Sequence, residues 1–267
     1  MRKSFRKLLA GTMAVALLVT SVIPSGMGGF NKDVVKAYAS SGEENGNEEA
    51  VSVDWSYELL EDGTIEITGC DISYDDTSEE VKVVVPSQID GYDVTIIGNV
   101  AFESKDCITS IVIPEGVKSI GDNAFANCIG LTSVEIPSSV TSIGFRVFGG
   151  CDSLTSIQVA EDNEVYDSRN NCNAIIETAS NTLIQGCNSS IIPSDVINIT
   201  SDAFSDLDSL SNIEIPSSVT NIGDFAFSDC DNLTSIEIPS SVVSIGDCAF
   251  YSCGGLINIQ VDENNEI

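Results

Sequence analysis

One spacing governs what this chain can fold into. Phe preceded by Ala or Val stands at Phe102, Phe125 and Phe148, then at Phe204, Phe227 and Phe250, so the steps are 23, 23, 56, 23 and 23 residues. The surrounding letters repeat too: LTSVEIPSSVTSIG (131–144) returns as LTSIEIPSSVVSIG (233–246), with only Val134/Ile236 and Thr141/Val243 exchanged. A fixed period of about 20 to 50 residues marks a solenoid, in which each unit is too small to bury its apolar side alone and does so against its neighbours.

Within one unit, Leu131, Val134 and Ile136 follow the pattern LxxLxL. The alternation Val134, Glu135, Ile136 sends two side chains inward and one outward, as in a short strand. Pro137 ends the strand because it has no N–H for the ladder. Ser138-Ser139 turn the chain, and Val140 and Ile143 return to the core. Gly144, repeated as Gly98, Gly121, Gly223 and Gly246, predicts a position with positive φ or with no room for a Cβ. Ala124 and Phe125 fill the far side, so identical side chains stack in columns about 4.8 Å apart, the spacing of paired strands.

The unit LTSVEIPSSVTSIGFRVFGGCDSL resembles the 23-residue leucine-rich repeats of the BspA-like, treponemal-type bacterial surface proteins. The resemblance covers nearly all of residues 53–267. It implies a leucine-rich-repeat solenoid of the α/β horseshoe class, predominantly β with short 3-10 or helical turns. It also implies a secreted or surface-displayed protein that adheres to host matrix or plasma proteins, or to other bacteria.

Outside the repeat, residues 1–39 read as a cleaved secretory signal. Arg2, Lys3, Arg6 and Lys7 form a basic head, Leu8 to Ile23 an apolar run, and Ala37-Tyr38-Ala39 a cleavage site. The competing reading, a membrane anchor, needs a run of about 20 apolar residues. The acidic stretch 40–52 reads as a disordered linker. Residues 53–98 are expected to form an N-terminal β cap. Its hairpin is WSYELLEDGTIEITG, with a Glu61-Asp62-Gly63 loop that puts Trp55, Tyr57, Leu59, Ile65 and Ile67 on one face. Residues 99–267 form the repeats, interrupted near 158–193 by a β-hairpin, CNAIIETASNTLIQGC, with Thr178–Asn181 as its turn. That register sets Ile175 opposite Ile184 and Cys172 opposite Cys187, a candidate cross-strand disulfide. QVDENNEI (260–267) repeats QVAEDNEV (158–165) and is read as the start of a second such module in a longer array.

Charge and composition exclude several functions. Removal of residues 1–39 leaves five basic residues, Lys82, Lys105, Lys118, Arg146 and Arg169, against forty acidic ones. Such a polyanion repels nucleic acid and anionic lipid, and no membrane insertion of the mature chain is expected. The chain has no His, which removes Ser-His-Asp and Cys-His nucleophilic sites and most catalytic zinc sites. No phosphate-binding glycine loop follows a strand. No catalytic residue, cofactor or metal is therefore expected. The acidic runs Glu161–Glu164 and Asp262–Glu266 lack the alternate-residue spacing of a calcium loop and read as solvated turns.

Four cysteines, Cys128, Cys151, Cys230 and Cys253, lie three residues after a repeat Phe, in a slot that Leu207 also fills. A slot shared with Leu is apolar, so buried free thiols are expected there. Cys248 falls in a variable, exposed position. The candidate binding surface is the concave face, where Ser110, Ser133 and Ser156 form one outward column and Val112, Glu135 and Gln158 the next. Beyond the insertion these columns continue as Asn212, Ser235 and Asn258, then Glu214, Glu237 and Gln260. This face is small, polar and acidic, without the Trp, Tyr and Arg that usually anchor interfaces. Three roles fit it: adhesion to a protein or glycan, a passive spacer with a solvated face, or a polysaccharide-active β-helix, against which the few Lys and Arg count. A partner would be basic and its association salt-sensitive.

Overall fold

The structure, a computed structural model, describes residues 34–36, 52–73 and 81–265. The leader read over 1–39 and the linker read over 40–52 lie outside the described residues, apart from Val34–Lys36 and Ser52. The described residues all lie in one compact unit.

Each coil hands three lines of backbone hydrogen bonds to the next. The first is a four-stranded parallel sheet of Val81–Val84, Ile108–Val112, Ser133–Ile136 and Ser156–Val159. Val134 pairs with Ile157 and Glu135 with Gln158, so the register advances by one full repeat. The second joins Tyr92–Ile97 to the short parallel strands Ser119–Ile120 and Ser142–Ile143. The third runs along the turns opposite the strands, where Phe102 N bonds Ala124 O at 2.7 Å and Phe125 N bonds Val147 O at 3.0 Å. These turns close on themselves through bonds such as Ala126 N to Asn123 O and form no α-helix. Among the described residues the one helical element is a 3-10 turn, Arg169–Asn171, in the insertion.

The core is the predicted set of columns. Phe102, Phe125 and Phe148 stack with ring centroids 5.0 and 5.4 Å apart, and Phe204, Phe227 and Phe250 with 5.0 and 5.5 Å. Trp55 closes the first stack edge-on, 6.0 Å from Phe102. Its hairpin, Ser52–Leu59 with Ile65–Ser73, turns through Gly63 at φ 81° as expected. Leu59, expected on the buried face, is instead 55% exposed. It pairs with Ile65 next to the turn, at the closed end of the hairpin.

Gly144 and its equivalents take the second of the two predicted roles. Their φ values are not positive; a Cβ on Gly121 would lie 2.6 Å from Asn99 N, and one on Gly144 2.6 Å from Asp122 N. The preceding coil occupies that space because its Asx side chain bonds forward, Asn99 Oδ1 accepting from Asp122 N and Asp122 Oδ1 from Phe145 N, both at 2.8 Å. The left-handed positions come two residues later, at Val100, Asn123, Arg146, Asp202, Phe225 and Cys248. A branched side chain such as Val100 rarely takes this conformation. It is held there by the bond from Val100 N to Asp122 O.

The cysteine slot is a ladder of its own. Cys128 donates to Phe102 O, Cys151 to Phe125 O, Cys230 to Phe204 O and Cys253 to Phe227 O, all within 3.0–3.2 Å. Burial pushes the Cys128 and Cys230 thiols up to about 12, and Cys151 is raised further by the same cause. Since the thiolate is the nucleophile, these three should resist an alkylating agent at pH about 8 in the native state. Exposed Cys248 should react first. Peptide mass spectrometry before and after denaturation checks this, and comparable native labelling of Cys151 and Cys248 would contradict the ladder.

The insertion replaces a coil and divides the core. Ile175–Glu177 and Thr182–Gln185 form the predicted hairpin, and Tyr166–Asp167 adds a third antiparallel strand. Thr182–Leu183 then pairs in parallel with Asn198–Ile199 and starts the ladder of the second array, continued by Asn221–Ile222 and Ser244–Ile245. The predicted register holds at Glu177/Thr182 and Ile176/Leu183, then shifts at a bulge, so Ile175 faces Gln185 and not Ile184. Ile175 and Cys187 pack into the first core; Cys172, Ala174, Ile176 and Leu183 pack into the second. Cys172 and Cys187 are both free thiols here, bonded to Ala174 O and Asn173 O respectively. Arg169 ties the module together, donating to Asp167, to Asn181 Oδ1 at 2.8 Å and to Asp195 at 2.6 Å. An ion pair from Arg146 to Asp206 joins the two arrays on the turn side.

Candidate functional site

The strand face follows from the alternation of each unit. In Ser133–Ile136, Val134 and Ile136 are buried while Ser133 and Glu135 are exposed, and Ser235–Ile238 repeats the pattern. Parallel pairing then aligns like positions: Ser110 beside Ser133 beside Ser156, and Val112 beside Glu135 beside Gln158. A shallow depression here is lined by Ser110, Val112, Glu115, Ser133, Glu135 and Pro137. In the second array Ser235 lies beside Asn258 and Glu237 beside Gln260.

Not all of the face is continuous. Asn212 and Glu214 are exposed and flank buried Ile213, but residues 211–216 form no strand and do not extend the ladder of Ser235–Ile238. The insertion stands against the last strand of the first array. Asn188 donates to Asp152 O at 2.9 Å, Ser189 donates to Thr155 O, and Gln158 donates to Asn173 at 3.4 Å. The structure thus groups Ser133, Glu135, Ser156 and Gln158 on one patch. It groups Ser235 and Glu237 on another, with Asn212 and Glu214 at the start of the second array.

One residue of the face escapes the 23-residue spacing. Lys82 lies beside Ser110 on the edge strand, between buried Val81 and Val83. Its signal was present in Val83-Val84-Val85-Pro86, which matches Ile111-Val112-Ile113-Pro114 at a step of 28. Glu115 is structurally engaged: burial alone would raise its carboxyl, but hydrogen bonds from Ser138 and Ser139 of the next coil outweigh this and hold it below the usual carboxylate range.

The BspA type leucine rich repeat region is matched in six copies, over residues 95–185 and 181–267, which is more than half of the chain. The chain belongs to the BspA-type leucine-rich repeat family. The chain is also similar to solved leucine-rich repeat proteins of bacteria. That of T. pallidum is 28% identical, with 77% of this chain and 78% of that one covered and a TM-score of 0.44. That of Eubacterium ventriosum is 24% identical, with 79% and 70% covered and a TM-score of 0.46. A leucine rich cell surface protein of Faecalibacterium prausnitzii is 20% identical, with 85% and 95% covered and a TM-score of 0.34. No curated protein matches the chain.

Proposed function

We propose that this BspA-type protein acts at the bacterial cell surface or outside it, adhering to protein or glycan partners through the strand face. What carries the reading is the division of labour within the repeat. Inward positions are committed to stacking, whereas Ser133, Glu135, Ser235 and Glu237 point outward from rigid ladders and are exposed. Solenoids commonly bind on such surfaces, and the secretory leader read in the sequence agrees with this location. The absence of aromatic and Arg anchors on the face supports the second reading, a passive spacer.

The two separate in one experiment. The full chain is presented to immobilised matrix proteins and host-type glycans at low and high salt. Adhesion predicts saturable binding that weakens as salt rises; no binding above an unrelated acidic protein would leave the spacer role in its place.

A further inference from the structure

Within each array the coils meet on the turn side through stacked rings, but the core divides at the insertion into two clusters. What crosses that division on the turn side is polar. Arg146 of the first array pairs with Asp206 of the second, Asp152 accepts from Asp208 N, and Asn188 of the insertion donates to Asp152 O at 2.9 Å. Asp152 and Asp208 hold the same place in the repeat, four residues after Phe148 and Phe204. Asp231 holds it in the next coil, where its Oδ1 accepts from Gly254 N at 3.0 Å. The forward Asp bond of an array is thus continued from one array to the other.

The contact is short of positive charge. Arg146 stands among Asp152, Asp202, Asp206 and Asp208, and the next coil adds Asp224 near Asp202 and Asp229 near Asp206. Two thiols lie alongside, Cys151 by Asp152 and Cys230 by Asp206 and Asp208, and burial keeps both protonated. Three polar atoms here are buried with no hydrogen-bond partner among the described residues: Arg146 Nε, Asp152 Oδ1 and Asn188 Oδ1. An ionised Asp152 can only accept, so it does nothing for Asn188 Oδ1; a protonated one carries a donor. Burial raises the carboxyls of Asp152, Asp202 and Asp206 above their ordinary 3.8, and repulsion among the carboxylates adds to this against the pull of Arg146 on the latter two. A carboxyl raised in the folded state destabilises while ionised, and that stability is recovered as pH falls through the raised value toward 3.8.

We propose that the turn-side contact between the two arrays is a pH-dependent clasp: proton uptake by the cluster of Asp152, Asp202 and Asp206 around Arg146 draws the arrays together, and full ionisation lets the contact open. The device is independent of the adhesive reading. It also runs against the rest of the first array, where Glu115 is held ionised by Ser138 and Ser139 and its bonds weaken on acidification.

Hydrogen exchange of the full chain, read by mass spectrometry as protection factors so that the intrinsic effect of pH is removed, tests the clasp. Between pH about 7.5 and about 5, segments 146–152 and 205–210 should gain about fivefold in protection, whereas 123–128, 138–139 and 225–230, which lie within an array, should change less than about twofold. Asp152→Asn with Asp202→Asn carries the neutral form at every pH, so the two facing segments should be protected at neutral pH as in acid, and the gain should vanish. Arg146→Gln removes the charge that favours ionisation and should move the gain to higher pH. An equal gain in the segments within the arrays would report general relief of self-repulsion and overturn the clasp. So would a gain that survives Asp152→Asn/Asp202→Asn, or one that Arg146→Gln leaves at the same pH.

Discussion

Phe125→Ala is expected to destabilise the protein by about 3–5 kcal/mol. The ring is 1% exposed and lies between Phe102 at 5.0 Å and Phe148 at 5.4 Å. Truncation removes the transfer term of a buried phenyl group. It also leaves a cavity that cannot collapse, because the backbone on either side is fixed by the bonds from Phe102 N to Ala124 O and from Phe125 N to Val147 O. Two near-parallel stacks are lost as well, each worth about 0.5–1.5 kcal/mol beyond its area. Phe227→Ala should behave alike, since its neighbours are at 5.0 and 5.5 Å. Phe250→Ala should cost clearly less, because that ring is half-buried with one stacked neighbour among the described residues. Urea unfolding followed by far-UV circular dichroism measures all three. A loss below about 1 kcal/mol for Phe125 would mean that the ring column does not hold the coils together.

The features legible in the sequence were those that each coil imposes on the next. Phe125 had to meet Phe148, Cys128 had to share a slot with Leu207, and Glu135 had to point away from Val134, because a unit that contacts only its neighbours leaves its inward letters little freedom. All twelve outward residues of the face follow the same period-two alternation: each is exposed or half-buried. What escaped depends on groups that are not one period apart. The bulge beside Ile175 arises because Ile175 and Ile176 enter different cores, a demand no local pattern encodes. Lys82 falls within the expected cap because its strand is offset by 28 residues, although it sits on the ladder beside Ser110. The break at 211–216 was hidden for the converse reason: Ile213 and Ile215 keep the buried pattern while the backbone leaves the ladder.

Gly144→Ala is the other large effect, and it separates two explanations of a repeated glycine. The residue does not have positive φ, so alanine carries no intrinsic conformational penalty there. The cost comes from contact. The new Cβ would lie 2.6 Å from Asp122 N and 2.7 Å from Gly121 C, and would also meet Asp122 Oδ1. A side-chain oxygen can swing away, but only by giving up its bond to Phe145 N; the backbone nitrogen and carbon can yield only if the two coils part. Overpacking of this kind costs about 1–3 kcal/mol or more, and the lost hydrogen bond adds about 1 kcal/mol. Gly63→Ala is the matched opposite: φ is 81° and nothing lies within 4 Å of a new Cβ. Its penalty is conformational alone, about 1 kcal/mol. Gly144→Ala should thus lower the urea midpoint further than Gly63→Ala, and adding Asp122→Ala should rescue it only in part, since the backbone contacts remain. The reverse order, or full rescue, would show that the glycine column serves the turn and not the close approach of successive coils.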